Sequence, residues 1–131
     1  MATPASSQVG VPVTSISEIG STSPAVFTSL NSAPMQTLAH GLGRTPVILS
    51  AVVICIIDDT ASSALTVGQQ TLLESMWDIF DRMPPFGIAC DNTNFYLSFP
   101  MAGQGSAVEL SWNGGVFFPN LDNYKIAVYY A

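Results

Sequence analysis

His40-Gly41-Leu42-Gly43-Arg44-Thr45-Pro46, running directly into Val47-Ile48-Leu49-Ser50-Ala51-Val52-Val53-Ile54-Cys55-Ile56-Ile57, decides how this chain reads. The first half punctuates the backbone. Gly41 and Gly43 flank Leu42 where a positive φ or a close backbone approach costs little, and Pro46 fixes φ ahead of the next element. His40, beside Gly41, is expected to hydrogen-bond turn backbone and hold the bend. The second half, apolar and largely β-branched, predicts a strand buried on both faces. A turn feeding such a strand points to a compact β-domain with something packed on each side.

Short strands are expected on either side of it, at about Gln36–His40, Val47–Asp58, Gln70–Met76, Phe86–Asp91, Asn94–Phe99, Ala107–Trp112 and Lys125–Tyr130. Gly68, Pro84-Pro85, Gly103, Gly105, Gly114-Gly115 and Pro119-Asn120 separate them. Phe95, Leu97 and Phe99 alternate with Tyr96 and Ser98, as in a strand with one face buried. Closely spaced strands with this punctuation predict an all-β, antiparallel β-sandwich of jelly-roll-like type. Thr71 to Arg82 also carries a helical alternative, with Leu72, Met76, Ile79 and Phe80 on one side and Pro84-Pro85 ending it; a strand followed by a loop or single turn is the favoured reading.

Residues 1–34 differ in composition from 35–131. They are rich in Ser and Thr, contain Pro4, Pro12, Pro24 and Pro34, and carry Glu18 as their one charge. An extended N-terminal arm is expected there, with Val9, Val11, Val13 and Ile16 as apolar anchors gripping a neighbour; a plain linker is the alternative. Ala25 to Leu30 has strand character within it. The β-sandwich domain is placed at 35–131.

Composition narrows the function. Only 9% of the 131 residues are charged, against about 25% in an ordinary soluble domain, while 48% are hydrophobic. So few charges leave a monomer short of polar surface, which burial between copies relieves. With Arg44, Arg82 and Lys125 as the only basic residues and a net charge of −6, nucleic acid and anionic membrane surfaces are unsuitable partners. No signal peptide is evident, and the longest apolar run is too short for a membrane-spanning helix; synthesis and assembly in a cytosol are expected.

Catalysis finds little support. His40 is the sole histidine, and no nucleophile signature accompanies it. Glu74, Asp78 and Asp81 form the densest acidic spacing. Paired carboxylates hydrolyse glycosides when they flank the bond, but short loops leave little room for a sugar cleft, and a solvated or subunit-bridging patch is the simpler reading. Asp58-Asp59 lacks the pattern of a calcium loop. Cys55 and Cys90 read as buried free thiols, with a disulfide as the alternative, and neither a metal nor another cofactor is expected. Trp112, Asn113, Asn120 and Asp122 combine an aromatic face with amide and carboxylate groups, as sugar sites do, on a loop Trp112-Asn113-Gly114-Gly115; core and interface filling is the competing reading of the aromatics.

The turn His40-Gly41-Leu42-Gly43-x-x-Pro46 before a hydrophobic strand resembles a small β-domain of bacteriophage virion proteins, especially tail-fibre and other appendage proteins. Thr66-Val67-Gly68-Gln69-Gln70 stands where members carry a Val-Gly-Asp turn, with Gln69 replacing the acidic residue. Cys90-Asp91-Asn92-Thr93-Asn94-Phe95-Tyr96 resembles the family's Asp-x-Thr-Asn strand start, and Tyr124 to Ala131 its closing strand, although Tyr124 is near the place of the usual Trp. The likeness spans roughly Thr37 to Ala131. It implies a non-enzymatic virion structural protein, a homotrimer displayed on head or tail as a decoration or fibre module, anchored to other virion proteins by its arm. An alternative follows from a resemblance to H-type lectins: a trimeric module that recognises a glycan on the host surface.

Overall fold

The computed structural model describes residues 23–58, 65–104 and 107–131. They form ten strands: β1 (Ala25–Phe27), β2 (Met35–Ala39), β3 (Ile48–Cys55), β4 (Gln70–Leu72), β5 (Met76–Asp78), β6 (Gly87–Cys90), β7 (Asn94–Ser98), β8 (Val108–Trp112), β9 (Gly115–Phe117) and β10 (Tyr124–Tyr130). Three antiparallel sheets result, with orders β1-β10-β3-β4, β2-β7-β6 and β5-β8-β9. The architecture is all-β and sandwich-like, as the strand pattern predicts. No helix among the described residues is long and apolar enough to cross a membrane.

Side-chain alternation explains why the sheets share one core. Ile126 and Val128 of β10, Val53 of β3, Phe95 and Leu97 of β7, and Val108 and Leu110 of β8 all point inward into a single apolar cluster. Tyr124 is fully buried among them, and Phe86 stacks on Phe99 with ring centroids 4.5 Å apart. Such a core contributes most of the favourable free energy of a chain this size.

Four expectations need correction. First, β3 is not buried on both faces: Val53 and Cys55 are buried, but Val52 and Ile54 are half-exposed and Leu49 is exposed. An antiparallel sheet needs cover on one face only, and β3 has it on one. Second, the strand expected over Gln70–Met76 is two strands in two sheets. A single 3-10 turn at Leu73–Ser75, closed by a 2.9 Å hydrogen bond between the Thr71 and Ser75 hydroxyls, carries the chain from β4 to β5. Third, the boundary at 34/35 fails for residues 25–34. β1 pairs with β10 over Ala25↔Val128 to Phe27↔Ile126, and Leu30 is fully buried, so this stretch belongs to the domain. Val9, Val11, Val13 and Ile16 lie outside the described residues. Fourth, Gly115 opens β9 rather than a loop: Asn113 (φ 52°) and Gly114 (φ 74°) make a two-residue turn between β8 and β9, the positive-φ geometry that Asn-Gly favours.

Candidate interaction surfaces

Two motifs distant in sequence meet at one end of the molecule. Past the end of β2, the His40 amide donates to the Thr93 carbonyl at 3.0 Å. The Leu42 amide donates to Nδ1 of His40 at 3.1 Å, which leaves the ring proton on Nε2, 2.8 Å from the Asp91 carbonyl. The ring also stands edge-on to Phe95, centroids 5.4 Å apart. Both nitrogens are therefore engaged by backbone, and His40 is built to hold the bend. Gly41 (φ 64°) and Gly43 (φ 71°) supply the left-handed turn, Pro46 is buried, and its carbonyl accepts from the Cys90 thiol at 3.3 Å. Arg44 donates from Nη1 to the Ala131 carbonyl at 3.1 Å, tying the turn to the end of β10.

Asp91 organises the facing turn between β6 and β7. Its Oδ1 accepts from the amides of Thr93 (2.9 Å) and Asn94 (2.8 Å) and from the Thr93 hydroxyl (2.9 Å), and its Oδ2 accepts from the Tyr96 hydroxyl at 2.6 Å. The Tyr96 hydroxyl first, then the two amides and the Thr93 hydroxyl, hold this carboxyl well below the usual carboxylate range, against a small opposing effect of burial. A depressed carboxylate stabilises the fold fully above its unfolded pKa of about 4, and the contribution is lost as pH falls toward the folded value. We expect Asp91→Asn to lower the thermal midpoint at neutral pH. The gap between wild type and variant should stay constant down to about pH 5 and shrink below about pH 4. Scanning calorimetry between pH 7 and pH 2 checks it; a gap that is flat over the whole range would refute the assignment.

No disulfide joins the two cysteines. Cys55 is buried and donates to the carbonyls of Ile57 (3.0 Å) and Leu65 (3.4 Å), and Cys90 is half-buried in a different sheet.

Of Trp112, Asn113, Asn120 and Asp122, the first is half-buried and the other three are exposed. Trp112 packs against the core, and Asn113 forms the β8–β9 turn. Asn120 precedes a short 3-10 turn at Leu121–Asn123, its side chain accepting from the Asp122 amide at 3.2 Å. None of the four lines the clefts described next.

Those clefts gather around Pro84 and Pro85. One, of about 520 Å³, is walled by Phe80, Met83, Phe86, Pro100 and Met101, with Asp78, Asp81, Ser98 and Gln104 as its polar lining. Across Pro84 a second hollow of about 340 Å³ is lined by Glu74, Met76, Trp77 and Arg82. The acidic trio is thus split. Asp78 is buried, and its Oδ1 accepts from the amides of Phe80 (2.9 Å) and Asp81 (2.7 Å), fixing the loop that leaves β5. Phe80 is 71% exposed at the rim. Of the trio, the Asp78 carboxylate is committed to loop geometry through Oδ1. The sequence placed Phe80 with Leu72, Met76 and Ile79 on one side of an alternative helix, and the Pro84-Pro85 pair marked where that helix would end.

Comparison with protein-family models, with curated proteins and with solved structures returned no match.

Proposed function

We propose that this chain is a non-enzymatic structural protein of a bacteriophage virion, working as a homo-oligomer, with a trimer expected, and attached to other virion proteins by the segment preceding β1. The observation that carries the assembly reading is the surface. Among the described residues, Met35, Val47, Ile57, Val67, Leu72, Phe80, Met83, Val116 and Phe118 are each more than half exposed. A surface this apolar, on a chain with 9% charged residues, fits burial against other subunits. The virion reading rests on the resemblance, and two of its motifs, the His40 turn and the Asp91 turn, are bound to each other. The carbohydrate-binding alternative has less support, because Trp112 packs against the core and the Asn120 side chain is bonded to the Asp122 amide.

The virion reading is tested on particles. An antibody raised against the folded domain should decorate intact phage in electron micrographs. Recovery of the chain only in the particle-free fraction of an infected lysate would contradict it.

A further inference from the structure

Asp78 is the only charged side chain buried among the described residues, at 8% exposed. Its Oδ1 is used up in holding the loop after β5, accepting from the Phe80 and Asp81 amides. Its Oδ2 has no hydrogen-bond partner among the described residues, and Asp78 lines the cleft of about 520 Å³. A buried carboxylate oxygen without a donor costs free energy, which a ligand carrying the donor recovers. Asp81, exposed in the same lining, brings a second carboxylate, and no cationic side chain among the described residues lines this cleft. Arg82, at a φ of 56°, lines the hollow across Pro84 instead.

Both walls are held by backbone before any ligand arrives. On one side the Asp78 amide donates to the Met83 carbonyl at 3.0 Å, and the Arg82 amide to the Asp78 carbonyl at 3.1 Å. On the other, the Ala102 amide donates to the Phe99 carbonyl at 3.0 Å, and the Gln104 amide to the Met101 carbonyl at 2.7 Å. A fixed cleft spares a ligand the cost of ordering it.

We propose, independently of the virion reading, that this cleft takes a lysine side chain of a partner protein. Charge selects a cation. The hydroxyls of a glycan would satisfy the acceptors, yet they leave two like charges together on a chain of net −6. An ammonium group answers both. A guanidinium fork pairs best with both oxygens of one carboxylate, and Asp78 has only one to give; a compact ammonium needs a single oxygen from each partner. The walls suit its stem. Met83, Phe86, Pro100 and Met101 offer apolar surface to the methylenes, and Phe80, 71% exposed at the rim, offers a ring face to the charge. Ser98 and Gln104 add hydroxyl and amide groups that a flanking peptide backbone can use and a free amine cannot.

An NMR titration of the isotope-labelled full chain tests the site, with the peptide acetyl-Gly-Lys-Gly-amide as probe. The amides of Phe80, Asp81, Gly87 and Gln104 should shift on its addition. The norleucine peptide, which keeps the stem without the charge, and lactose should leave them in place. The arginine peptide and butylamine should each bind several-fold more weakly. Asp81→Asn and Asp78→Asn should raise the Kd at least about tenfold, the second while keeping an oxygen for the Phe80 and Asp81 amides. Glu74→Gln, in the neighbouring hollow, should leave the Kd unchanged. If Asp78→Asn does not fold, Asp81→Asn alone decides. Absence of shifts with the lysine peptide, or a Kd that Asp81→Asn does not change, overturns the site. A response to lactose or to the norleucine peptide as strong as to lysine overturns the choice of a cation. Equal affinity for the arginine peptide overturns the choice of ammonium, and equal affinity for butylamine the choice of a protein as its source.

Discussion

Phe95→Ala is expected to destabilise the fold by about 3–5 kcal/mol, the largest effect of any single substitution considered for this chain. Phe95 is 1% exposed on β7, the central strand of its sheet, paired laterally with Leu38 and Cys90. Its ring meets Tyr130 at 5.0 Å and the edge of His40 at 5.4 Å, so one side chain touches β10 and the turn that carries the His40 bend. Alanine removes the ring and leaves a cavity between two sheets that are pinned by backbone pairing and cannot collapse onto it. Phe95→Leu keeps most of the volume and should cost only about 1–2 kcal/mol, chiefly the lost ring contacts. Urea denaturation of both variants measures the difference. Equal costs would mean that the ring is not the joint between β7, β10 and the turn.

Leu110→Ala should cost about 2–5 kcal/mol for a related reason in a different sheet. Leu110 is fully buried at the centre of β8, with Met76 on one side and Phe117 on the other. The β5-β8-β9 sheet is small, and three short strands alone are marginal in water. Its stability must come from the shared core. The variant should therefore shift one cooperative transition to lower urea without splitting it. Two resolved transitions would show that this sheet folds as a separate unit.

What the sequence revealed was mostly local. A turn is written in a few adjacent residues, so the bend at His40-Gly41-Leu42-Gly43 and the Asp91-Asn92-Thr93-Asn94 turn were both legible. Their mutual hydrogen bonds were not, because 51 residues separate His40 from Asp91. Strand positions also came through, since alternation such as Phe95, Leu97, Phe99 is a property of one segment. Sheet membership did not. Nothing in Gln70 to Asp78 announces that Leu73–Ser75 turns the chain into a second sheet, because β4 and β5 are told apart only by their partners β3 and β8. The strand character of Ala25 to Leu30 was legible, but not its place in the domain, which comes from pairing with β10 almost at the other end of the chain.

Sidedness was the instructive error. Val52 and Ile54 look like core in the sequence because an apolar residue on the outer face of a sheet and one facing a core are chemically alike. Only the structure, by turning Val53 and Cys55 inward, shows which half of β3 faces outward. Trp112-Asn113-Gly114-Gly115 misled in the opposite direction. It reads as a displayed loop, yet Asn113-Gly114 is the tightest hairpin connection available, and the alternation of Ser111 and Val116 against Leu110 and Phe117 was the signal for it.

The mass of the purified full-length chain in solution, by light scattering across a range of concentrations, tests assembly most directly. Three copies of the 13.8 kDa chain, about 41 kDa, is the predicted result. A single 13.8 kDa species at every concentration would contradict it.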